Sequence, residues 1–129
     1  MARDTMNLQY FTYDATDSVG VVNIIKQDIT ENGIEIKNAF AGKDNSVDIL
    51  IENTSGTDKE VILKAGEKQN ALLGDANVPV ANGEAIALDL MRDMARYERA
   101  DGTIHIDFEA GFAGKIYAIA RRAGLKPVV

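Results

Sequence analysis

A chain of 129 residues, 46% hydrophobic and 26% charged, is long enough to bury one continuous core and gives no reason to expect a second domain. With 14 Lys+Arg against 20 Asp+Glu the net charge is −6, which repels a nucleic-acid backbone, and Arg92, Arg96 and Arg99 are diluted by Asp93, Glu98 and Asp101. The absence of cysteine excludes disulfide scaffolds, thiolate metal sites and cysteine nucleophiles together.

The N-terminus, MARDTMNLQYFTYDAT, has charged and polar residues where a signal peptide needs an apolar stretch. No run in the chain approaches the ~18 apolar residues of a membrane span. The expectation is a protein made in a cytoplasm, with neither membrane nor nucleic acid as partner. Leu8, Tyr10 and Phe11 are apolar or aromatic, yet no alternation continues beyond them. Residues 1–16 therefore read as an arm, with Leu8, Tyr10, Phe11 and Tyr13 as candidate contacts to a partner or to a second copy of the chain. Such an arm can order on binding; the competing reading is a frayed terminus or an extra edge strand.

From the middle of the chain onward valines and isoleucines recur with period two, the signature of strands, and two further short strands lie upstream. Gly20–Gln27 and Gly33–Lys37 are short strands. In Ser46–Asn53, Val47, Ile49 and Ile51 alternate with Asp48, Leu50 and Glu52, which predicts a strand with one firmly buried face. Glu60–Lys64 alternates again after TSGTD, whose Gly, Ser, Thr and Asp favour a tight reversal. These two segments are expected to form a β-hairpin.

The piece from Gly66 to Glu84 is punctuated by Gly66, Gly74, Pro79 and Gly83 and reads as loops around a short extended segment at Val78–Val80. Glu84–Leu90 resumes the alternation, with Ile86, Leu88 and Leu90 on one side. Leu90, Met91, Met94 and Tyr97 have helical spacing, so helix and strand remain alternatives there. Asp101-Gly102 is a hairpin-type turn, followed by a strand over Thr103–Glu109, a Gly111–Gly114 connector and a strand over Lys115–Arg121 with Ile116, Ala118 and Ala120 on one face. The C-terminal RAGLKPVV reads as loosely ordered.

Short strands at the ~8 to 12 residue spacing of sandwiches and barrels, with no regular helix between consecutive strands, argue against an alternating α/β fold. The expected fold is all-β: an antiparallel β-sandwich, Ig-like or jelly-roll-like, over residues 17–129, with at most one or two short helical turns.

One constellation carries chemistry-bearing groups. His105-x-Asp107-x-Glu109 contains the only histidine. On a strand these three share one face while Ile104, Ile106 and Phe108 share the other, the pattern of a sheet with one wet face. A zinc site needs several convergent nitrogen or sulfur ligands, and calcium loops carry denser carboxylates at set spacing. The reading taken is a solvated strand face with no metal and no cofactor.

Ser18, Ser46 and Ser55 lie in no G-x-S-x-G elbow, and Gly111-Phe112-Ala113-Gly114-Lys115 is too short for a phosphate cradle. The protein is therefore expected to be non-enzymatic. A hydrolase using Asp107 and Glu109 as acid and base stands as the least favoured alternative. Met91 and Met94 near Tyr97 suit core packing better than an adaptable contact surface.

The run from Asn45 to Arg121 resembles small accessory proteins from the head-gene clusters of tailed bacteriophages and prophages. The features that carry the likeness are Glu52-Asn53-Thr54 after a strand, a second strand ending in Lys64-Ala65-Gly66, Ala95-Arg96-Tyr97, Asp101-Gly102-Thr103 with its strand, and the Gly111–Lys115 turn into a final strand. The resemblance implies a compact β-sandwich that binds the outside of an assembled capsid, often as trimers, with the major capsid protein as partner and the virion surface as location. It attaches no catalytic residue to these motifs. A carbohydrate- or host-surface-binding sandwich is the alternative, with Tyr10, Phe11, Tyr13 and Tyr97 as stacking groups.

Overall fold

The structure, a computed structural model, describes residues 2–14, 19–37, 45–67, 69–90 and 94–122. Its strands in chain order are β1 (Asp4–Asn7), β2 (Gln9–Tyr10), β3 (Thr12–Asp14), β4 (Val19–Val21), β5 (Gln27–Asp28), β6 (Ile34–Lys37), β7 (Asn45–Asn53), β8 (Lys59–Leu63), β9 (Ala76–Val80), β10 (Ala85–Asp89), β11 (Ile104–Phe108) and β12 (Gly114–Arg122). A 3-10 turn over Gln69–Leu73 and a single helical turn, α1 (Met94–Tyr97), complete the described elements.

The strands form two packed sheets, an all-β sandwich. One sheet has the order β1-β6-β11-β8-β9. The other has the order β10-β7-β12-β2, with β5 sharing the outer edge of β12, and β3 and β4 make a separate hairpin.

Alternation decides which residues meet between the sheets. Val47, Ile49 and Ile51 of β7 and Ile116, Ala118 and Ala120 of β12 face Ile34, Ile36, Val61, Leu63, Ile104 and Ile106 of the opposite sheet, and all are buried. Each of these Val, Leu and Ile side chains, fully removed from water, stabilises the fold by about 1.5–3 kcal/mol, and the two alanines by less.

Three expectations change. First, the sheets are mixed, not purely antiparallel, because β1 runs parallel to β6 and β2 parallel to β12. Second, the N-terminal segment is no arm between Asp4 and Tyr10: it gives one strand to each sheet and buries Met6 and Leu8 in the core. A strand inserted parallel to its neighbour shows no hairpin signal, since its partner lies far along the chain.

Third, β7 and β8 form no hairpin. β7 pairs with β10 and β12, and β8 with β9 and β11, so the TSGTD loop carries the chain across from one sheet to the other. Two successive amphipathic strands show the same alternation whether they lie side by side or face each other through the core, and the period alone does not separate these cases.

What selects the crossing is Asn53, 1% exposed. Its Nδ2 donates to Thr57 O (3.0 Å) and Val80 O (2.9 Å), and its Oδ1 accepts from Ser55 N (2.9 Å). Its own backbone bonds Glu84 O and Gly83 N.

The loops after β9 and β11 cross between the sheets at the same end as the one after β7. Thr54 N and Ser55 Oγ both donate to Ala113 O, Ala113 N returns a bond to Ser55 Oγ, and Gly56 N donates to Asn82 Oδ1. Three crossings are thereby stitched into one polar cap over the core.

The remaining strand expectations are met within a residue or two, except that Gly20–Gln27 is divided into β4 and β5, with Val22–Lys26 between them. The ambiguous stretch at Leu90–Tyr97 holds α1; Met91 and the C-terminal residues 123–129 lie outside the described residues. Asp101-Gly102 turns from α1 into β11 and does not join two hairpin strands.

Candidate functional site

The polar stripe on β11 was the strongest chemical signal in the sequence. Ile104 and Ile106 are buried, and Phe108 packs on Phe112 with ring centroids 5.2 Å apart. His105, Asp107 and Glu109 project from the opposite face, each toward a different partner.

His105 Nε2 lies 3.8 Å from Glu35 Oε1 on β6, its register neighbour. Asp107 is gripped by both arms of the Arg3 guanidinium, from Nε to Oδ1 (3.1 Å) and from Nη2 to Oδ2 (3.0 Å). Glu109 Oε2 is 3.5 Å from Lys59 Nζ, which also donates to Ala110 O. The stripe is thus spread over three separate contacts. Among the described residues no group of three or more His, Asp or Glu is placed to hold a metal.

Arg3 was missed in the sequence. A lone arginine near the N-terminus carries no pattern, and only the parallel insertion of β1 brings it across β6 to β11. The pair ties the first strand to the sheet and is half-exposed, worth about 1 kcal/mol or less as a surface ion pair, more for its two-pronged geometry. A shallow hollow beside it is lined by Glu31, Asn32, Ile62 and Phe108.

Burial pushes the His105 imidazole below the ordinary histidine value of 6.5, and the nearby Arg99 and Arg3 cations push the same way, against the weaker pull of Glu35 and Asp101. The folded protein therefore holds fewer protons at this site than the unfolded chain. The stability this contributes is complete above pH 6.5 and is lost as pH falls below it.

Hydrogen bonds hold Asp4 (from Thr30, then Asn32), Asp75 (from Lys64, then Ala65) and Asp101 (from Thr103) below 3.8, so their contribution disappears only in a second, more acidic window. Urea midpoints measured against pH should show two steps. His105→Gln should remove the upper step and leave the lower one. A wild-type midpoint that stays flat from neutral pH down to about 5 contradicts this assignment.

The predicted contact residues divide. Leu8 is buried, and Tyr10 is half-buried and packed against the core. Phe11 is half-buried, with its backbone N–H donating to Ala120 O at 3.4 Å. Of Tyr13 only the backbone, in β3, lies within the described structure. Tyr97 is buried in the core, so it is not available to stack on a sugar.

The exposed apolar groups lie elsewhere. Val19 and Val21 stand on one face of the β3–β4 hairpin, Ile24 and Ile25 on the strand-like segment that follows, and Leu72 and Leu73 on the 3-10 turn. Ile24-Ile25 and Leu72-Leu73 are adjacent pairs with no facing period, which hid them in the sequence. A groove of about 270 Å³ runs beside Ile25, lined by Met6, Asn7, Leu8, Gln9 and Gln27.

No helix among the described residues is long and apolar enough to cross a membrane. Compared with known proteins, the chain matches no protein-family model, no curated protein and no solved structure.

Proposed function

We propose that the protein is a non-enzymatic structural component of a tailed-phage head, which binds the exterior of the assembled capsid and decorates or stabilises it. The partner is the major capsid protein, and the place of action is the virion surface. The sequence resemblance over Asn45–Arg121 suggests the role.

The observation that carries it in three dimensions is the β3–β4 hairpin. An isolated two-stranded hairpin is marginal in water, and this one exposes Val19 and Val21 instead of covering them. Docking on a neighbouring surface would remove both valines from water. It would also complete a sheet around strands that have no third partner in the described chain. The sandwich behind it, closed at one end by the Asn53 cap, is a rigid platform, and many copies on a lattice sum modest single contacts into a large total.

The test is co-sedimentation with assembled shells against unassembled capsid protein. The wild type should travel with shells alone. A Val19→Asp/Val21→Asp variant, altered only at exposed positions, should bind at least about tenfold more weakly, the equivalent of ~1.4 kcal/mol. Failure of the wild type to bind shells across several salt concentrations removes the reading.

A further inference from the structure

We propose that the groove at the capped end of the sandwich binds an arginine side chain of a partner protein, held against Phe108 between the carboxylates of Glu31 and Glu109.

Two hollows make up the groove. The first, about 400 Å³, lies between the loop carrying Thr30 and Glu31 and the connector from Glu109 to Phe112, with Phe108 in its wall. A shallower one of about 610 Å³ continues toward Arg3 and Asp107. Glu31 and Phe108 line both, so the two form one continuous surface.

Its walls are pinned before anything binds. On one side the Asp4 carboxylate accepts from Thr30 Oγ1 and from Asn32 Nδ2 (3.1 Å), and Asn32 N donates to Thr30 Oγ1 (3.2 Å), which fixes the loop carrying Glu31. On the other, Phe112 N donates to Glu109 O (3.0 Å), Glu109 N to Glu60 O (3.0 Å) and Lys59 Nζ to Ala110 O (2.9 Å). A preformed site of this kind loses little freedom of its own on binding.

The second hollow shows which chemistry suits the first. There Arg3 already sits beside Phe108, its guanidinium gripped at both prongs by Asp107. The first hollow presents the same ring with two carboxylates and, among the described residues, no arginine. Glu109 is shared with Lys59 at 3.5 Å. Glu31 is exposed and its carboxylate has no ion pair or hydrogen bond among the described residues.

Charge selects the occupant. Asp4, Glu31, Asp107 and Glu109 stand against Arg3 and Lys59, which leaves two negative charges unbalanced around the groove. A guanidinium offers a flat face to the ring and a fork of N–H donors to the carboxylates, whereas an ammonium matches only the charge. The overall charge of −6 draws a basic segment toward the site.

The inference does not rest on capsid binding and is tested without shells. The probe is the peptide acetyl-Gly-Arg-Gly-amide, titrated into the full chain while backbone amide shifts are followed by NMR. Saturable shifts at Glu31, Phe108 and Gly111 are expected, in the millimolar range. The citrulline analogue, of the same shape without the charge, should bind at least about fivefold more weakly.

Glu31→Gln should weaken arginine binding about threefold, and Glu31→Lys should abolish it. Both should melt as the wild type does, because the side chain is exposed. Phe108→Leu should weaken binding about threefold through loss of the ring; should it unfold, the two Glu31 variants decide. Arginine binding that does not saturate, an equal response to citrulline, or full affinity in Glu31→Lys each overturns the proposal. So does methyl glucoside shifting the same amides where the arginine peptide does not, a result that assigns the groove to carbohydrate.

Discussion

Replacing Asn53 with alanine should destabilise the protein by about 3 kcal/mol, because a buried polar group deprived of its partner costs about 1–3 kcal/mol and this substitution strands several. Thr57 O and Val80 O lose their donor, and Ser55 N loses its acceptor, all around a side chain that is 1% exposed. The loss should appear as a fall in Tm on the order of 10 °C for a domain of this size. Asn53→Asp should not rescue it, since a carboxylate cannot donate to either carbonyl and would bring a charge into a buried site. Equilibrium urea denaturation gives the number directly. A loss under about 1 kcal/mol would mean that the crossing loops hold together without this residue, and that the account of why β7 and β8 face each other is wrong.

Gly114→Ala should be at least as damaging, about 3 kcal/mol or more, because it demands movement of backbone in the middle of a sheet. A Cβ at this position would lie 1.8 Å from Glu52 O and 2.9 Å from Glu52 C, both on β7. Neither atom can give way without opening the β7–β12 ladder at its Gly114–Asn53 end. The Gly114 carbonyl also accepts from Ile29 N at 3.0 Å, so a shift is passed on to the loop leading into β6. Gly102→Ala is the control: φ is +80° there and no atom lies within 4 Å of the added carbon, leaving only the left-handed strain of about 1–2 kcal/mol. Thermal melts of the two variants side by side separate collision from strain. Equal losses would contradict the packing described at the base of β12.

The polar stripe on β11 was legible because it rests on a period of two and nothing else. Ile104 and Ile106 claim the interior, and His105, Asp107 and Glu109 are then forced outward wherever the strand sits in the sheet. Their partners were not legible. Arg3 and Asp107 are 104 positions apart, and Glu35 meets His105 only because β6 pairs with β11. The exposed apolar residues escaped for a different reason: Leu72, Leu73, Ile24 and Ile25 occur as adjacent pairs, and adjacency carries no facing information on a strand or a 3-10 turn. The N-terminal segment showed no strand signal on similar grounds, since β1 and β2 are short, lie on either side of Leu8 and enter two different sheets, so no one sheet imposes a period on them.

By itself, the sequence determined the all-β class and the inward set of each strand, because alternate burial is a property of a single strand and needs no knowledge of its neighbours. Only the tertiary structure decided which strands are neighbours and which face each other, that β1 and β2 join in parallel, and that Asn53 caps a crossing between sheets instead of a hairpin turn. Those choices depend on contacts between distant segments, whose energies are absent from any local window of the chain.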